Sequence, residues 1–83
     1  KSIALVMDSI QENEWELASK NTENLSEVWK KVARRVQFSA EKDEMDDIAK
    51  SIARLRGAIQ ARDQTNALME LQETYEHWKN IGR

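Results

Sequence analysis

Residues three and four apart on an α-helix share a face, so an unbroken 3-4-3-4 run of mostly apolar positions narrows the choice of fold sharply. This chain has such a run in Trp15, Ala18, Thr22, Leu25, Trp29, Val32 and Val36. It predicts one helix roughly 33 Å long, with a stripe that the rest of the chain must cover.

The remainder supplies matching stripes. Ile3, Val6 and Ile10 form one, with Leu5 and Met7 widening it. Met45, Ile48, Ile52, Leu55 and Ile59 form another at 3-4-3-4 spacing. Ala67, Leu71, Trp78 and Ile81 form the last, broadened by Leu68 and Tyr75. With no proline and two glycines, Gly57 and Gly82, little interrupts helix. The predicted helices span about 2–12, 14–38, 44–61 and 64–81. Asn13 is read as the cap of the second helix, with Glu16 completing a capping box. The turn before the third helix is placed near Ser39–Asp43, with Asp43 as its cap and the acids Glu41 to Asp47 crowding its first turn. Arg54, Arg56 and Arg62 lie toward the end of that helix, Asp63 caps the fourth and Gly82 ends it.

Sliding the chain by 49 residues sets KSIA at Lys1–Ala4 on KSIA at Lys50–Ala53, and Trp29-Lys30 on Trp78-Lys79. Across 1–34 and 50–83 this gives 11 identities in 34 ungapped pairs, where chance gives roughly two or three. Thr22 and Leu25 in one half answer to Leu71 and Thr74 in the other, an exchange that lets small and large residues alternate across a shared core. The expected fold is therefore all-α, a single helical domain of 83 residues. Its architecture is an antiparallel up-down four-helix bundle of two repeated helix pairs. A helical hairpin that dimerises into a bundle is the alternative. The first helix is short, which leaves a seam beside it unless that helix continues upstream in the intact protein.

The features also run in a known order. Glu14-Trp15 and Ala18 open the long helix, Trp29-Lys30 follow at mid-helix, and Glu44-Met45-Asp46 lead into Ile52 and Leu55. Asp63 and Ala67-Leu68 open the last helix. This order, over most of Asn13 to Ile81, resembles the bacterial domain of unknown function 4363 family. The resemblance implies no activity. It implies an upstream hydrophobic anchor or signal before Lys1, and so a membrane tether and a place in the cell envelope. A histidine that commonly precedes the acidic pair in that family is replaced here by Lys42 or Asp43.

The chemistry on offer is sparse. No cysteine, glycine-rich phosphate loop or histidine-based triad is present, so no catalytic residues and no cofactor are expected. His77 is the only histidine, and with Glu73 it gives two ligands where a metal site needs three or four, so no metal is expected. The acids from Glu41 to Asp47 lack the spacing of a calcium loop. Opposite charges nearly cancel, at a net charge of −2, which does not point to a nucleic-acid binder, usually marked by a strong basic excess. What remains is a non-catalytic helical module acting through protein contacts, with Trp15, Lys30, Lys31, Arg34 and Arg35 as its candidate surface. Its partner is another protein or a second copy of itself. The runner-up is a ligand- or ion-binding sensor domain. A weaker third reading is contact with anionic lipid or nucleic acid through the basic end of the second helix.

Overall fold

The computed structural model describes residues 2–35 and 42–81. Among them are four helices and no strand: α1 (Ser2–Gln11), α2 (Trp15–Arg35), α3 (Lys42–Gln60) and α4 (Gln64–Lys79). α1 packs on α2 and α4, and α3 packs on the same two helices. The molecule measures 38 × 18 × 18 Å, a cross-section two helices wide in each direction. No helix among the described residues is long and apolar enough to cross a membrane.

The stripes meet in one core. Val6 and Ile10, Ala18 and Leu25, Ile48 to Ile59 at stripe spacing, and Ala67 and Leu71 are buried together, with Trp15, Trp29, Trp78 and Ile81 packed on its edge. Thr22 and Thr74 are also fully buried. Their hydroxyls do not strand a donor, since Thr22 Oγ1 donates to Ala18 O at 2.8 Å and Thr74 Oγ1 to Glu70 O at 2.9 Å. Ser51 Oγ meets Thr74 Oγ1 at 2.7 Å, linking α3 to α4 inside the core. Leu5 and Tyr75 do not widen the stripes; both are exposed.

Two local expectations need correction. Asn13 does not cap α2. It adopts the left-handed conformation, φ 58°, and closes α1: its N–H donates to Ile10 O at 3.0 Å and that of Glu14 to Ser9 O at 2.8 Å. That is a Schellman ending, and it leaves Glu14 as the residue before α2. Arg62, just past the end of α3, repeats this ending. Its φ is 55°, with Arg62 N–H on Ile59 O at 3.0 Å and Asp63 N–H on Ala58 O at 2.9 Å. Asp43 does not cap α3 but lies within its first turn, since that helix begins at Lys42. Asp63 does cap α4, accepting from Asn66 N at 3.1 Å. Val36, Phe38, residues 39–41 of the expected turn, and Gly82 lie outside the described residues.

Arginine therefore stands where glycine is favoured, while Gly57 sits inside α3 with open space around its missing Cβ. Left-handed backbone costs a side-chain-bearing residue roughly 1 kcal/mol, and helical glycine costs about as much relative to alanine. Arg62→Gly and Gly57→Ala should each raise stability by about 0.5–1 kcal/mol, read as a higher urea midpoint at unchanged slope.

Candidate functional site

An apolar groove lies among α1, α2 and α4. Its volume is about 530 Å³, and it is the counterpart of the seam expected beside a short first helix. Ile3 and Met7 of α1, Leu25 and Val28 of α2, and Leu71 and Trp78 of α4 make it predominantly apolar. Tyr75 stands on its rim with Lys79 Nζ 5.2 Å from its ring centroid. No short sequence window signals this groove, because its walls come from three helices.

The five residues singled out from sequence do not form one patch. Trp15 is half-buried at the first turn of α2 and lines a separate recess with Arg56 and Arg62. Lys30 lies fifteen residues further on, roughly 22 Å along the helix. Lys30, Lys31, Arg34 and Arg35 are exposed together near the C-terminal end of α2, the end that holds the groove. Lys30 pairs with Glu27 at 3.3 Å. Lys31 and Arg35 stand three and seven residues beyond Val28, on the groove side by helical spacing.

Exposed ion pairs tie the helices from outside. Arg54 bonds Glu70 and Glu73 on α4, each at 2.8 Å. Arg56 reaches Glu23 on α2 through Nε at 2.6 Å and Nη2 at 3.1 Å. The Arg56 hydrogen bond holds Glu23 below the ordinary carboxylate value. Partial desolvation opposes this, and the charges of Arg56 and Lys30 add to it. Such a pair stabilises the fold above the unfolded carboxylate's value and loses that contribution as pH falls through the lower folded one. Both side chains are about half exposed, so the effect is small. Glu23→Gln should cost less than about 1 kcal/mol at neutral pH. The gap from wild type should close as pH drops below about 4.5, as urea midpoints at pH near 7 and near 3 would show.

His77 and Glu73 do not act as a pair. Glu73 is engaged by Arg54, and His77 turns across to α3, its Nδ1 3.3 Å from Glu44 Oε2. Glu44 also accepts from Asn80 Nδ2 at 3.0 Å. That bond, aided by His77 and opposed by partial desolvation, keeps the Glu44 carboxyl below its ordinary value.

No curated protein and no solved structure matches the chain. The family model described as "Domain of unknown function (DUF4363)" matches residues 1–83, the whole chain. The chain thus belongs to the DUF4363 family.

Proposed function

We propose that this chain is a non-catalytic interaction module that receives an acidic amphipathic helix of a partner protein in the groove beside α1. In this reading its four helices run up and down, as two related helix pairs. Support for the pairing comes from the turns at Asn13 and Arg62, 49 residues apart, which share one hydrogen-bond pattern. Turns this short favour antiparallel neighbours.

The observation that carries the docking role is the groove itself. Its walls come from α1, α2 and α4, and the apolar side chains of Val28 and Tyr75 stand exposed on it. A partner helix with apolar residues at i, i+3, i+4 and i+7 would meet the exposed Val28 and Tyr75 and the half-buried Trp78. Lys31 and Arg35 flank this end of α2, which favours an acidic outer face on the partner.

A photo-cross-linking residue at Val28, used in the native cells, tests the reading. The expected product joins Val28 to a segment of another protein that is acidic and apolar at helical spacing. Val28 is partly exposed, so Val28→Asp should keep the helical circular-dichroism signal while abolishing capture by a cross-linker moved to Ala4. A cross-link to a second copy, to residues upstream of Lys1, or to nothing would overturn it. The ion-binding reading rests on a different observation, the residues gathered around His77.

A further inference from the structure

We propose that Glu44, Asp47 and His77 form a binding site for a divalent transition-metal ion of the zinc class. α3 supplies both carboxylates from positions three apart, which share one face of the helix. α4 supplies the imidazole from across the interface. The ligand-capable atoms of the three residues lie within 4.8 Å of one another. His77 Nδ1 is 3.3 Å from Glu44 Oε2 and 3.9 Å from Asp47 Oδ2.

These separations suit an ion. Two donors each about 2.0–2.1 Å from a tetrahedral zinc stand roughly 3.4 Å apart. His77 and Glu44 already have that spacing, and Asp47, nearly half exposed and 3.9 Å from His77 Nδ1, is free on its outer side to turn toward them. Two carboxylates balance the charge of a divalent ion. The imidazole selects zinc and its neighbours over calcium and magnesium, which take oxygen donors and more of them. Asn80 Nδ2, on Glu44 Oε2 at 3.0 Å, orients that carboxylate as outer partners of metal ligands do. Three protein donors leave a fourth position for water or an incoming ligand. The site bolts the start of α3 to the end of α4, on the opposite side of α4 from the groove, and stands independently of the docking role.

The alternative is a plain polar clasp in which His77 and Asn80 hold Glu44 and no ion enters. Titration calorimetry of the full chain with zinc chloride separates the two. One zinc per chain and a rise in melting temperature are expected, with little response to calcium or magnesium. Glu44→Gln, Asp47→Asn and His77→Asn should each weaken zinc binding by at least about tenfold. Glu73→Gln, four residues before His77 but held by Arg54, should leave it unchanged. Glu44→Gln keeps the size and the Asn80 contact, so it reports on the ion even if another variant folds poorly. No zinc-dependent heat or melting shift in the wild type overturns the site. So does zinc binding that survives His77→Asn, or that depends on Glu73 rather than Glu44.

Discussion

Leu55→Ala is expected to destabilise the protein by about 3–4 kcal/mol. Leu55 is fully buried in α3, in the same cluster as Val6, Leu25 and Leu71 from the other helices. Removing its branched end loses transfer energy and leaves a cavity that neighbours on all sides cannot easily fill. At roughly 0.05–0.15 kcal/mol per residue, a domain of this length has only about 4–12 kcal/mol in hand. The melting temperature should fall by roughly 12–32 °C, and the urea midpoint should fall with little change in slope. Leu5→Ala and Met69→Ala supply the contrast. These side chains are 57% and 62% exposed, and their loss should stay within about 0.5 kcal/mol. Equal losses at buried and exposed positions would mean that the stripes do not meet in the core described.

That contrast marks how far the sequence could be read. The stripe residues of α3 are all buried, because a helix core position is defined by spacing, which a linear chain displays. Stripe width is another matter. Leu5 and Tyr75 are apolar in type yet exposed, and no local pattern says whether a neighbouring helix reaches them. Asn13 misled for a chemical reason: asparagine suits both a helix N-cap and left-handed backbone, and the structure uses the second property. Arg62 gave no signal for its left-handed turn, since arginine has no preference for it. The His77 cluster was out of reach because Glu44 lies 33 residues away, while Glu73, one turn away on the same helix, looked the better partner. Residue type alone singles out Trp15 and the basic end of α2, which a straight helix holds far apart.

Trp29 combines a legible packing role with a cost visible only in three dimensions. Its ring packs on the core cluster from α2, yet its indole Nε1 is enclosed without a hydrogen-bond partner among the described residues. An unpaired buried donor forfeits about 1–3 kcal/mol of desolvation energy, which offsets part of what the ring contributes. The two truncations should therefore diverge. Trp29→Ala removes the whole ring and should cost about 3 kcal/mol or more. Trp29→Phe sheds one ring's width of packing together with the orphaned N–H, and should cost less than about 1 kcal/mol. Urea unfolding of both variants, followed by circular dichroism so that the loss of a fluorophore does not matter, measures the difference. If Trp29→Phe proved as damaging as Trp29→Ala, the N–H would be engaged rather than stranded, and the indole would be held in place by a bond as well as by its area.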